Sequence, residues 1–553
     1  MPYQKKIIEV KVPHKSGADM SHRNSGTLTC GTLTPVLVEE VIPGTRCHLK
    51  VNEVVQLPPL VSDTYMNVKL KHEAFFVPFR LLCKSAEDWF CTGERDTLYY
   101  GASSSSVPTS LNIKPGLPVI RFDNTVPDSY YKPGTLIDFL GAKVGGQTLQ
   151  GTFTFSPLSI VAYHLIYDEY YRNPKVQKSV LGRSLGFVGP TSPSRLATIR
   201  DTYYHYGPTN NGNTPRNYLI VLNSTNISDL ATMNDGSSFF DLHQRNFGFD
   251  FFTGARPSAQ FGAPAQVSMS LPAGASSTQF TIAQLRAANS LQMFRERNNM
   301  PSPRLVDQVR ARYGAVLSDG IAQRPICIGS SSVDIVSRGV DQTAADSAGT
   351  NPFNSVAAQY GRAFGGSSQY LIDDFTANEP GFIMVLQSIV PDVSYSSGVA
   401  AYLKRYLAEG CIAEMANPLL QNVGDEPIYD SLISDDPDST NVFGYQDRFG
   451  SFMYHPNEVH SLFVDGESLD TFVLQRSFGG IITQNSSFLE IPKNYLDAVF
   501  AVSGAVSGLS AWYDAKLDWK ISLPLAEFSI PSLQDPAYEH GKSVNLLRNG
   551  QIF

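Results

Sequence analysis

Residues Thr64–Phe90 read TYMNVKLKHEAFFVPFRLLCKSAEDWF. Met66, Val68 and Leu70 alternate with Asn67, Lys69 and Lys71, the period of two of a strand with one face in a core and the other in water. The alternation then runs into the pair Phe75-Phe76 and stops at Pro78, which cannot continue a central strand. A short amphipathic piece closes on Asp88-Trp89-Phe90. Nothing in the stretch is catalytic.

Working outward, Arg46–Leu57 and Tyr65–Val77 read as neighbouring strands parted by Pro58-Pro59. Near the other end, Leu509, Ala511, Tyr513, Ala515, Leu517, Trp519, Ile521 and Leu523 hold every second position. Mostly polar residues sit between them, which predicts a strand up to ~50 Å long at about 3.3 Å per residue. Phe443–Phe452, His460–Val464 and Asp470–Phe478 are shorter strand candidates. Helical signals sit in the middle of the chain. Ser156-Pro157 supplies an N-cap and a first-turn proline for LSIVAYHLIYDEYYR. Thr281 with Gln284 makes a capping box for the following run, and Ser302-Pro303 opens another helix to about Tyr313. Strands at both ends that need each other's buried faces imply one all-β sandwich of Greek-key or jelly-roll type with long insertions. The Gly-, Ser-, Asn- and Thr-rich regions around 180–280 and 330–380 read as insertion loops.

Composition narrows the class. Of 553 residues 17% are charged, against ~25% in ordinary soluble domains. With 43 Gly, 35 Pro, 32 Phe and 26 Tyr, the chain has many turns and more aromatic surface than one core uses. That balance fits a protein largely covered by neighbours, although composition by itself favours the plainer alternative of an enzyme with long loops. A net charge of −8 excludes a wholly basic nucleic-acid glove. The charge is nevertheless uneven: Lys5, Lys6, Lys11, Lys15 and Arg23 face only Glu9 and Asp19 at the start, seven Arg meet three acids over 286–324, and six acids meet no base over 425–438. Cys30, Cys47, Cys83, Cys91, Cys327 and Cys411 show no C-x-x-C pairing and no His at zinc spacing, so they read as free thiols. The start lacks an apolar leader core, and the longest uncharged stretch, Ala498–Tyr513, is too short and polar to span a bilayer.

A search for chemistry returns no catalytic constellation. There is no phosphate-binding glycine loop, no H-E-x-x-H and no dinucleotide fingerprint. His72-Glu73 lacks the second His, and Gly508-Leu509-Ser510-Ala511 misses the final glycine of a nucleophile elbow. Asp435, Asp436 and Asp438 lack the glycine and distal glutamate of a calcium loop and read as a solvated acidic turn. No metal or cofactor is expected. The basic start is the best binding lead: Lys5, Lys6, Lys11, Lys15 and Arg23 can neutralise phosphates without reading bases, with affinity that falls as salt rises. An ordinary solvated terminus is the rival reading. A β-sandwich glycan-processing enzyme, with two carboxylates facing across a cleft, and a phage fibre or receptor-binding module are the alternatives for the whole chain.

Several blocks carry a family resemblance. Glu73–Arg80 (EAFFVPFR) followed by Asp88-Trp89-Phe90, Pro35–Gly44 (PVLVEEVIPG), Ala162–Arg172 (AYHLIYDEYYR), Phe247–Ala255 (FGFDFFTGA), Thr281–Arg286 with Tyr313-Gly314 and Gln323-Arg324-Pro325, Phe443–Arg448 (FGYQDR) with His455-Pro456, and Asn485–Phe488 (NSSF) resemble, in order, the major capsid proteins of the small single-stranded DNA phages, the Microviridae. The layout is most similar to the gokushovirus branch. Leu469–Val473 reads LDTFV where that family has a Trp-His pair, and the tail past Pro524 runs on to Phe553.

The resemblance implies an eight-stranded antiparallel jelly roll assembling into a T=1 icosahedral shell around circular single-stranded DNA, in the bacterial host cytoplasm. It implies a scaffolding protein and a small basic DNA-binding protein as partners, a threefold-axis insertion that meets a host surface receptor, and no enzymatic activity or membrane insertion. On this reading residues 1–34 are a basic arm, 35–183 the first part of the roll with an inserted helix, 184–245 a surface protrusion, 246–523 the rest of the roll, and 524–553 a tail. The family blocks pause between Arg172 and Phe247. Gly207–Asn213 is the expected tip of that stretch, with Tyr203, Tyr204 and Tyr206 beside it as receptor-binding candidates or as packing for the protrusion's own core.

Overall fold

The computed structural model describes residues 16–61, 64–65, 67–92, 114–142, 151–181, 196–202, 204–206, 219–259, 282–299, 304–318, 323–342, 359–404, 424–501 and 509–524. In chain order the strands are β1 (Ser16–Asp19), β2 (His22–Leu28), β3 (Thr34–Val41), β4 (Arg46–Gln56) and β5 (Val68–Pro78). An insertion then carries β6 (Lys114–Pro115), β7 (Val119–Phe122), β8 (Phe153–Phe155), β9 (His205–Tyr206) and β10 (Leu219–Leu222). Next come β11 (Ile326–Gln342), β12 (Gln359–Thr376) and β13 (Gly381–Pro391). A second insertion holds the hairpin β14 (Glu426–Tyr429) and β15 (Val442–Gln446), and β16 (Ala511–Leu523) closes the fold.

Nine of these strands form one curled antiparallel sheet, ordered β1-β16-β4-β12-β11-β5-β13-β3, with β2 also on β16. β1 and β2 line up along one edge of β16, Asp19 opposite Lys520 and His22 opposite Leu517. The pairs nest: β2 with β16, β3 with β13, β4 with β12, and β5 with β11. A long hairpin rolled on itself gives this pattern, and that is a jelly roll. The last strand lies directly on β4, Trp512 opposite Gln56 and Ser522 opposite Arg46, so strands nearly the whole chain apart share one sandwich.

The two halves of the sheet bury different surfaces. On β16 every second residue from Ala511 to Ile521 points into the core and the others stay wet, so the sequence alternates. β5 begins the same way, with Val68 and Leu70 inward. Its end is covered on both faces: Ala74 and Phe76 enter the sandwich core, while Phe75 and Val77 enter a second core outside it. β13 repeats this, Ile383 and Val385 inside, Met384 and Leu386 outside. A strand buried on both faces reads as a continuous apolar run, which is why alternation fails at FFVP. The second core is built by the first insertion, chiefly helix Leu158–Ile166 with Phe122, Phe239 and Phe240. Glu73, on the outward phase of β5, ties this insertion down: Arg245 Nη1 donates to it at 2.6 Å and the Tyr171 hydroxyl at 2.5 Å. Burial alone would raise the Glu73 carboxyl, yet Arg245 and Tyr171 hold it below its ordinary range.

One polar tie crosses the sandwich. Glu53 of β4 and His72 of β5, both fully buried, meet at 2.6 Å, and Gln387 Nε2 of β13 donates to the other Glu53 oxygen.

Several expectations need correction. The described residues of 330–380 are mostly strand and supply much of β11 and β12, the longest described strands. Their glycines mark close approach of backbone: a Cβ at Gly329 would collide with the Leu371 carbonyl oxygen. Phe443–Phe452 is a strand only to Gln446, followed by the 3-10 turn Gly450–Phe452. His460–Val464 and the start of Asp470–Phe478 are also 3-10 turns, Ser461–Phe463 and Asp470–Phe472. Neither turn buries a residue; Leu474 beyond them enters the sandwich core, and isolated bridges Tyr65–Val473 and Tyr395–Arg476 stand in place of a ladder. All three predicted helices of the middle region form, as Leu158–Ile166, Ile282–Asn299 and Leu305–Tyr313.

Candidate assembly surface and nucleic-acid interface

The outer face of the β2-β16-β4-β12 half carries no covering element among the described residues. Register places its side chains in rows. Thr27, Trp512, Gln56 and Phe364 form one row, then Ser25, Asp514, Val54 and Gly366, then Arg23, Lys516, Asn52 and Ser368, then Asp518, Lys50 and Tyr370. Trp512 is 39% exposed, Phe364 43% and Tyr370 68%. Lys50 lies 5.6 Å from the centre of the Tyr370 ring, and the Trp512 indole N–H donates to Gln56 Oε1 at 3.0 Å. Lys516 reaches Asp518 at 3.0 Å, and its hydrogen bond is the main reason that carboxyl lies below its ordinary range. Arg23, the described member of the basic arm, is exposed on β2 with its guanidinium 3.9 Å from Asp514. Lys5, Lys6, Lys11 and Lys15 lie outside the described residues.

A second surface is apolar. The helix Ile282–Asn299 exposes Ile282, Leu285, Leu291, Met293 and Phe294, and Tyr313 and Val316 follow it at 78% and 80% exposure. The Arg312 guanidinium stands 5.9 Å over Phe294. Tyr402, Leu403 and Tyr454, more than half exposed, line a groove of about 430 Å³ together with Phe251, Phe252 and Tyr395, and Phe452 and Met453 are also more than half exposed. Large side chains left in water over such continuous areas mark surfaces that another molecule covers. The sequence pointed to this surplus through its aromatic count but not to its location, because an exposed ring and a core ring are the same letter.

The tyrosine group divides. Tyr204 is 1% exposed within the second core, its backbone oxygen accepting from Gly116 N at 3.0 Å, and burial drives its phenol far up. In this chain it packs the insertion, and its ring offers nothing to a receptor. Tyr203, the Tyr206 ring and the Gly207–Asn213 tip lie outside the described residues.

No catalytic arrangement forms among the described residues. His72 is locked to Glu53. Ser510 is buried just before β16 and its hydroxyl accepts from Cys30 N at 2.8 Å, so it presents no exposed nucleophile. Asp435, Asp436 and Asp438 are exposed on a turn, where Asp436 accepts from Asp438 N, and no group of three or more His, Cys, Asp or Glu comes together to hold a metal. Cys30, Cys47 and Cys83 are buried free thiols and Cys327 an exposed one, with burial pushing Cys47 up to about 12. No described helix is long and apolar enough to cross a membrane. Sequence reasoning missed one buried cluster: His164 Nε2–H donates to Phe239 O at 2.9 Å and its Nδ1 accepts from His243 Nε2 at 2.8 Å. No spacing signals it, since the two rings come from distant elements.

Known proteins agree with this architecture. The sequence profile of the phage capsid proteins described as "Capsid protein (F protein)" matches residues 8–533. The capsid protein VP1 of Chlamydia phage 1 is 25% identical, covering 94% of this chain and 96% of its own length. The VP1 capsid protein of Bdellovibrio phage phiMH2K is 22% identical over 86% and 88%, and that of Spiroplasma virus 4 is 20% identical over 94% and 95%. The match along almost its whole length, on a chain folded as a jelly-roll sheet, places it in the phage F-type capsid protein family, a family of structural proteins.

Proposed function

We propose that copies of this chain close into a single-layer T=1 icosahedral shell around circular single-stranded DNA, assembled in the bacterial cytoplasm. The observation that carries the reading is the exposed apolar surface of helix Ile282–Asn299 and of the Tyr402–Tyr454 groove on a chain of this family. A closed shell buries such surface; contact per subunit is expected well above the ~1,600 Å² of a standard complex. Negative-stain microscopy and size-exclusion chromatography of the purified protein test it. Closed shells are expected, and a well-behaved monomer under assembly conditions refutes it. Elongated trimers would point to a fibre module instead.

The finer roles belong to the same proposal. The arm residues Lys5, Lys6, Lys11, Lys15 and Arg23 face the particle interior and neutralise phosphates without sequence preference. Their replacement by Gln lowers packaged DNA, the more so at high salt. Leu196, Tyr204, Phe239 and Phe240 anchor the stretch 184–245 in the second core, while its part around Tyr203 and Tyr206 faces outward, with these two as receptor-facing rings. Replacing both with Ser abolishes attachment while shells stay intact; unchanged attachment leaves them as packing. A scaffolding protein and a small basic DNA-binding protein complete the assembly.

A further inference from the structure

The open face of the β2-β16-β4-β12 sheet is unlike the apolar surfaces described above. Its rings stand among mixed neighbours, with exposed Val54 one row from Trp512 and Phe364 and exposed Val336 opposite Phe364, and charged residues run through the middle. Arg23, Lys516 and Lys50 lie between the Trp512–Phe364 row and Tyr370, interleaved with Asp514 and Asp518. A protein interface would have to desolvate these charges at its centre, where charged residues are depleted. Flat aromatic rings spread over a sheet with lysines beside them suit a different occupant: unpaired bases stack on the rings while the sugar-phosphate backbone and the charges stay wet. Trp512 and Phe364 stand two strand spacings apart, roughly 10 Å, and Tyr370 lies about 20 Å further along β12 from Phe364. The basic arm enters this same sheet, since residue 15 leads directly into β1 on the edge of β16.

We propose that this sheet face is a stacking platform for single-stranded DNA, with Trp512, Phe364 and Tyr370 as the base-binding rings and Lys50 and Lys520 as phosphate contacts. The proposal rests on the shell reading, in which the arm lies against the genome. It deepens that reading by assigning most of the sheet's affinity to stacking. The bases on the face are largely answered by acids, Lys516 by Asp518 and Arg23 by Asp514, so the face contributes little counterion release. Its share of binding therefore depends on salt only through the Lys50 and Lys520 contacts, whereas the arm's share falls more steeply with salt.

The test uses the full chain and a fluorescein-labelled twenty-nucleotide oligo-dT, with anisotropy read at several salt concentrations. Replacing Trp512, Phe364 or Tyr370 by Ala weakens binding about tenfold per ring with the salt slope unchanged. Trp512→Phe and Tyr370→Phe keep a ring and keep most of the affinity, which separates lost stacking from a damaged fold. Gln at Lys5, Lys6, Lys11 and Lys15 flattens the salt slope yet leaves quenching of Trp512 fluorescence by the oligonucleotide in place. A triple Ala variant that binds within twofold of the parent overturns the proposal. So does a triple variant that loses shells while its oligonucleotide affinity is unchanged, because the face is then a contact between copies or a seat for residues 525–553. Parent protein that binds the oligonucleotide through these rings but forms no shells leaves the platform standing and removes the shell reading.

Discussion

Replacing His72 by Leu tests how the sandwich tolerates a polar group in its centre. Glu53 and His72 are both fully buried, 2.6 Å apart, and the one other described group on the carboxylate is Gln387. Removing the imidazole leaves a carboxylate in the core with one amide donor. Breaking a buried pair in this way costs about 3–5 kcal/mol, most of it the desolvated charge left behind. The trio is also imperfectly satisfied as it stands: His72 Nδ1 and Gln387 Oε1 find no hydrogen-bond partner among the described residues. Converting all three to Leu keeps similar volumes and removes every buried polar atom of the group. That variant is expected at or above parental stability, since apolar replacement of a whole buried ionic group is often neutral or stabilising by about 1–4 kcal/mol.

The measurement is urea unfolding of the unassembled full chain, followed by the fluorescence of Trp519, which is 1% exposed in the same core. With a slope of roughly 3 kcal/mol per molar, the single variant moves the midpoint down by about 1 M or more. The triple variant returns to the parental midpoint. A His72→Leu midpoint unchanged from the parent refutes the buried-charge argument. A triple variant as unstable as the single one refutes it differently, by showing that shape and not polarity sets the cost.

The buried pair His164–His243 makes stability pH-dependent: burial lowers His164 to about 4 and holds His243 well below its usual value, the neighbouring His164 adding to the effect. Both rings fold neutral, so their contribution is full above the unfolded value near 6.5 and is lost as pH falls toward 4, at about 1.4 kcal/mol per pH unit per ring; His243→Asn should flatten that slope in urea midpoints taken from pH 7 to 4. Gly329→Val drives a side chain into the Leu371 carbonyl and should part β11 from β12, giving insoluble protein where Ser331→Val, on the same strand, stays soluble. Tyr204→Ser removes a buried ring and should cost about 3 kcal/mol in the same titration, whereas exposed Tyr402→Ser should change the midpoint by less than about 0.5 kcal/mol.

How much of this was legible depends on what each strand touches. β4, β5 and β16 were readable because apolar and polar residues alternate where one face is wet. β11 and β12 were not: their centres read GSSS and GGSS, and the glycines that let β11 and β12 cross closely look like loop. The Ser461–Phe463 and Asp470–Phe472 turns misled in the opposite sense, since short runs with Leu462, Phe463 and Phe472 imitate a strand although neither turn buries a residue. Of the candidate site, the basic start was visible as charge and the aromatic surplus as composition. The stacking rings were not, because Phe364, Tyr370 and Trp512 meet only through the register of β12, β4 and β16.

The break in alternation at Phe75-Phe76 nevertheless carries more than one strand's location. β16 alternates to its end because its outer face has no cover among the described residues. β5 stops alternating where the first insertion lands on it. The same chemistry that spells FFVP on β5 and VLQ on β13 therefore assigns the insertion to the β11-β5-β13-β3 half. It also leaves the other half free on its outer side. A jelly roll has two outer faces; here one is spent on holding a large insertion with its own aromatic core, and the remaining one is where wet charges and exposed rings persist. Among the described residues that second face is the uncovered one, which makes the Trp512, Phe364 and Tyr370 substitutions the sharpest probe of what the roll binds.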